Sequence, residues 1–249
     1  MNKTLLTFAF GLLLISNALG QDSIKVHHEL FFKPVAEKLT LELNINPFSG
    51  ELSLNNMLNQ IKFRYFTSHD FAIRVGFNVN MIRKEITTTN PYGTNPYTLA
   101  EDKKTSLLAL NAGIEKHFPG TRRLSPYIGV ELAAAFKSSN HIINDGATET
   151  TIDNAWRTVT LVNNNFVYGY EEKAYLQFGA NLIGGFDYYL ARHFFLGYEF
   201  TFQFYNKEYN GVEITTVGTQ IPQDNPDTNE NEFSVGPNLL NGIRIGYIF

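Results

Sequence analysis

Nine ionisable residues stand out because each sits beside large apolar residues in a segment where polar and apolar positions alternate. They are Glu42, Lys62, Arg64, Arg74, Glu115, Glu131, Asp187, Glu199 and Arg244. Alternation with a period of two is the signature of a strand, so these charges share one face and the neighbouring aliphatic and aromatic groups share the other. A charge removed from water is costly unless it is paired and hydrogen-bonded. Four cations and five carboxylates on one face therefore imply a mutual salt-bridge network that fills an enclosed polar interior.

Catalytic chemistry would need a nucleophile, a base and an orienting acid within reach of one another. His69, His117 and His193 fall in or beside expected short turns, where surface roles suit them, and His141 lies near Ser138 and Ser139 in a polar stretch. Asp224, Asp227, Asn229 and Glu230 offer hard oxygen atoms, but not at the spacing of a calcium loop. The chain has no Cys, which removes disulfides, thiolate metal sites and a cysteine nucleophile. No catalytic residue, metal ligand or cofactor is expected. A formal charge of −4 gives no basic footprint for nucleic acid.

The segments that must position the nine charges are long. Ala174 to Tyr188 and Leu196 to Phe204 form a two-faced hairpin around Leu190–His193, with Leu176, Phe178, Leu182, Phe200 and Phe202 on one face and Gln177, Asn181, Asp187 and Glu199 on the other. Similar segments are read at 37–46, 57–65, 71–81, 108–115, 128–136 and 243–249. Residues 82–104, 138–169 and 206–231 read as long polar loops, and Gly236-Pro237 as a bulge or late strand start. Strands of this length, apolar on one face, suit a tilted crossing of about 25 Å of hydrocarbon. The expected fold is all-β: an eight-stranded antiparallel transmembrane barrel with short periplasmic turns and long extracellular loops. Its 21 Phe and 13 Tyr would supply the outward face and the rims. Tyr65, Phe66, Phe71, Phe118, Tyr127, Tyr188, Tyr189, Phe194, Phe195, Tyr247 and Phe249 are assigned to an aromatic girdle at the short-turn end.

Lys3, the apolar run Leu5–Ile15 and the small residues Ala18-Leu19-Gly20 read as a signal peptide over 1–20. Residues 21–36 then form a periplasmic lead, and 37–249 the membrane domain, with both mature ends periplasmic.

The alternating segments, above all 174–204 and the final Ile243-Arg244-Ile245-Gly246-Tyr247-Ile248-Phe249, resemble the small OmpA/OmpX-like outer-membrane barrels, particularly barrel-only proteins of Bacteroidota. The resemblance implies residence in the bacterial outer membrane, contact with its lipids and lipopolysaccharide, and recognition of Tyr247 and Phe249 by the barrel-assembly machinery. The His-x-Ser strand motif resembling outer-membrane deacylases is missing. The function expected is a non-enzymatic structural or surface-interaction role with an unidentified extracellular ligand. A narrow ion channel is the alternative, and a lipid-modifying enzyme the third reading.

Overall fold

The architecture is that of a computed structural model, which describes residues 32–45, 58–91, 97–162, 165–218, 226, 230–238 and 243–249. The expected signal peptide, most of the expected lead, the strand start at Met57 and the candidate oxygen ligands Asp224, Asp227 and Asn229 lie outside the described residues.

Thirteen strands form among the described residues: β1 (Leu39–Ile45), β2 (Leu58–Phe66), β3 (Phe71–Asn90), β4 (Tyr97–His117), β5 (Leu124–Asn144), β6 (Thr148–Asp153), β7 (Trp156–Val162), β8 (Asn165–Glu171), β9 (Tyr175–Tyr189), β10 (Phe194–Tyr209), β11 (Glu213–Gly218), β12 (Asn231–Asn238) and β13 (Ile243–Ile248). All the pairings are antiparallel. The path β1, β2, β3, β4, β5, β9, β10, β13 returns to β1, so these strands close a ring. Strand β12 pairs with the distal part of β10, β6 and β11 extend the sheet beyond β5, and β7 and β8 make a separate two-stranded sheet.

The expected eight-stranded antiparallel transmembrane barrel is therefore corrected to a thirteen-strand, all-β architecture whose pairings close a ring. The difference lies in the stretches read as loops. Strands β3 and β4 continue their ladder through Asn90↔Tyr97, so most of 82–104 is a hairpin. Residues 138–169 hold the end of β5 with β6, β7 and part of β8, and 206–231 hold the end of β10 and all of β11. Runs such as Ile86-Thr87-Thr88-Thr89 are polar yet β-branched, and β-branched residues suit a pleated backbone whether or not one face is greasy.

Burial divides the ring into two faces. Outward groups are bare, among them Val75, Leu132, Phe178 and Phe200. Inward groups toward the short turns are enclosed. At the short-turn end, Phe32 packs on Tyr189, Phe195 and Ile248, and Arg123 stacks 4.4 Å from the Phe32 ring centroid, so residues just before β1 cover the ring's base. At the opposite end, inward positions such as Gln177, Gln203 and Tyr205 are only half-buried, so the interior opens there.

Candidate functional site

All nine charges singled out in the sequence are buried in the ring. Arg64 touches Glu42 and lies 2.8 Å from both Glu115 and Asp187. Arg74 reaches Glu115 and Glu131 at 3.1 Å and Glu199 at 2.9 Å. Arg244 is 2.7 Å from Glu42 and from Asp187, and 3.5 Å from Glu199, which also takes Lys62 at 3.0 Å. Every member is thus linked to every other through shared partners.

The strand register explains why. Arg64 and Arg74 stand directly opposite each other on β2 and β3, an unfavourable pairing of like charges on its own. Glu115 resolves it by giving one oxygen to each guanidinium. Two inward glycines open the lateral reach. Gly113 lies between Arg74 and Glu131 across β3, β4 and β5, and Gly197 between Asp187 and Arg244 across β9, β10 and β13. A Cβ on Gly197 would stand 2.8 Å from Arg244 Nη2 and from Asp187 Oδ1, in the path of that ion pair.

Sequence reasoning missed several members of the site. Tyr127 donates its hydroxyl hydrogen to Glu199 at 2.8 Å, and His117 bridges Glu115 at 3.0 Å and Ser125 at 2.9 Å. Phe66, Tyr127, Tyr189 and Phe195, assigned to the rim girdle, are instead buried. That assignment is corrected: they form an aromatic layer below the charges, with the Arg64 guanidinium 5.1 Å from the Phe195 centroid and 5.6 Å from that of Phe66. Tyr247 and Phe249 do meet at the base, ring centroids 4.9 Å apart and edge to face, and His193 stacks 5.6 Å from Tyr247.

Above the charges, Asn111 and Asn181 both donate to Glu131 Oε1, at 3.0 and 2.8 Å. They floor a cavity of about 140 Å³ on the open side. Among the described residues no group of three or more His, Cys, Asp or Glu is placed to hold a metal ion.

His141 belongs to neither layer. It is buried at the far end of β5, where its Nδ1 accepts the Arg157 backbone N–H at 3.1 Å and its Nε2 faces Glu101 at 3.3 Å. Loss of water and the nearby Lys103 ammonium lower its pKa from 6.5 to about 4. An unfolded chain takes up this proton near pH 6.5 while the folded one waits until about pH 4. The contribution to stability is complete above the higher value and is lost as pH falls through that window. An NMR titration is expected to place the His141 midpoint near the lower value, with urea resistance declining across the interval; a midpoint near the ordinary imidazole value would contradict the burial.

A family model described as the OmpA-OmpF-like porin family matches residues 44–216. The chain belongs to that family. Membership makes it an outer-membrane domain of a non-catalytic kind. No curated protein matches the chain. Among solved structures, the N-terminal beta-barrel domain of Pseudomonas aeruginosa OprF is similar at 13% identity, over 87% of this chain and 100% of that one, with a TM-score of 0.32.

Proposed function

We propose that this family member is a structural or surface-interaction component of the outer membrane, spanning the bilayer as a ring sealed to ions. The single observation carrying the reading is a connected, buried ion-pair network beneath an outward face of bare apolar groups. Soluble monomers rarely leave so continuous an apolar surface in water. The β1–β13 pairing closes the ring toward its short turns, so among the described residues no strand edge is left open to lipid at that level.

In this reading the short turns, the base covered by Phe32 and both mature ends are periplasmic, and the long β3–β4 and β5–β6 hairpins project outside. Residues 1–20 act as the export signal and 21–36 as the lead. Tyr247 and Phe249 serve as the assembly signal, and lipopolysaccharide surrounds the outer part of the apolar face. The network acts as a filling: it pairs the inward charges with one another and ties strands far apart in sequence together.

Planar-bilayer recording of purified, folded protein tests the seal. The expected result is no conductance step above the lipid baseline, because the aromatic layer and the ion pairs leave no continuous water path. Reproducible steps would overturn the sealed reading and favour a channel.

A further inference from the structure

The interior ends upward in a small built pocket that the sealed-ring reading does not use. Its roughly 140 Å³ are lined by the amides of Asn111, Gln177, Asn181 and Gln203, with Ala133 and Ala135 leaving the room. That space is large enough for several waters or one ring-sized organic group. Asn111 and Asn181 each spend one N–H on Glu131, which fixes them as a rigid floor. Gln177 and Gln203 have no side-chain hydrogen-bond partner among the described residues, so their donors and acceptors are open to an occupant.

Tyr205 lines the pocket, the next inward positions of β9 and β10 are Tyr175, Lys207 and Tyr209, and the charges there are balanced. The Lys207 ammonium stands 5.0, 5.4 and 5.5 Å from the ring centroids of Tyr175, Tyr205 and Tyr209, and the Tyr175 and Tyr209 rings meet edge to face at 5.9 Å. Glu232 neutralises Lys207 at 3.2 Å and accepts hydrogen bonds from Tyr205 and Tyr209 at 3.0 and 3.1 Å. Lys137, on the same side, is paired with Glu172 at 2.6 Å. Among the described residues an ionic ligand finds no unpaired charge there, and a purely apolar one would strand the amides.

We propose that this pocket binds one neutral sugar ring, with its hydroxyls on the glutamine and asparagine amides and its C–H faces against the tyrosines at the mouth. The inference goes beyond the structural role and needs only that this end of the ring be open, whichever side of the membrane it faces. Aromatic faces with a few placed hydrogen-bonding groups are the usual composition of a small-ligand site. The sugar is free in solution or the exposed end of a surface glycan, and the two sources share this chemistry.

Saturation-transfer NMR on folded protein in a phosphocholine detergent, which carries no sugar headgroup, provides the test. Neutral hexoses are expected to give saturable signals, and the matching hexuronate and hexosamine signals about tenfold weaker, a difference of about 1.4 kcal/mol in binding. A neutral oligosaccharide binding about tenfold tighter than its monosaccharide identifies the glycan-end source, and equal affinity the free sugar. The Gln177→Leu/Gln203→Leu double variant and the cavity-filling Ala135→Phe are each expected to abolish the hexose signal while the β-sheet circular dichroism stays unchanged. The charge comparison on the unaltered protein stands even where a variant fails to fold. Absence of saturable hexose binding to the unaltered protein, equal binding of the charged sugars, or retention of binding in both folded variants would overturn the site and leave the cavity as a water pocket. Because the assay reads contact with the sugar and not ion flow, its failure is separate from the conductance result.

Discussion

Arg64→Met is expected to lower the unfolding free energy by about 3–5 kcal/mol, the usual cost of breaking a buried ion pair from one side. The methionine fills much of the same volume, so the loss is electrostatic. Arg64 is fully buried and is shared by Glu42, Glu115 and Asp187. Arg244 still reaches Glu42 and Asp187, and Arg74 still reaches Glu115, but each of these carboxylates loses a close cation. Urea unfolding in lipid vesicles reads the change as a shift in midpoint at constant slope. The exposed pair of Arg83 with Asp102 makes the control: Arg83→Met removes a bidentate contact of 3.1 and 2.9 Å, yet its midpoint is expected to stay at that of the unaltered protein. Equal effects of the two substitutions would contradict the interior role of Arg64.

Gly113→Val is the second large effect. A Cβ at this position would lie 2.5 Å from Glu131 Cβ and 2.7 Å from Glu131 Cα, and it would also strike the Val130 carbonyl oxygen. Those atoms belong to the facing strand, so no side-chain rotation relieves the clash. Either β4 and β5 separate locally or the valine displaces the row in which Arg74 crosses to Glu131. Overpacking alone costs about 1–3 kcal/mol, and misplacing Arg74 adds to it. Folding yield into vesicles, followed by circular dichroism, is expected to collapse for Gly113→Val. Gly236→Val is expected to fold normally, since nothing stands within 4 Å of a Cβ there. A normal yield for Gly113→Val would show that the β4–β5 ladder is looser than described.

Parity made much of the interior legible in advance. The nine charges converge because a strict period of two leaves them only one face, and β9 and β10 run almost where the alternation of 174–204 places them. The same rule was sufficient for residues assigned elsewhere. Phe66 has the parity of Lys62 and Arg64, Tyr127 that of Glu131, Tyr189 that of Asp187, and Phe195 that of Glu199, so an inward aromatic layer was implied by the pattern that placed the charges. Closeness to a turn had suggested a rim instead. The outer strands were hidden for a different reason. Where β3 runs on past Met81, both faces meet water, and alternation of apolar with polar groups disappears while the backbone ladder with β4 continues. His117 gave no pairwise signal, because its partner Ser125 stands across a turn and its other contact is the nearby Glu115. The amide-lined cavity was equally unreadable, since it depends on which short side chains face one another across β4, β5, β9 and β10.

The proposed membrane role requires lipid to meet one face of each ring strand and water or charge to meet the other. The chain has no native cysteine, so single nitroxide labels can be placed at Phe178 and Phe200 on the outer face and at Gln177 and Gln203 on the inner one. In vesicles, the outer pair is predicted to collide with oxygen and be shielded from a water-soluble nickel chelate, and the inner pair to show the reverse. Labels at 178 and 200 that meet nickel while those at 177 and 203 meet oxygen, or four labels that respond alike, would contradict it.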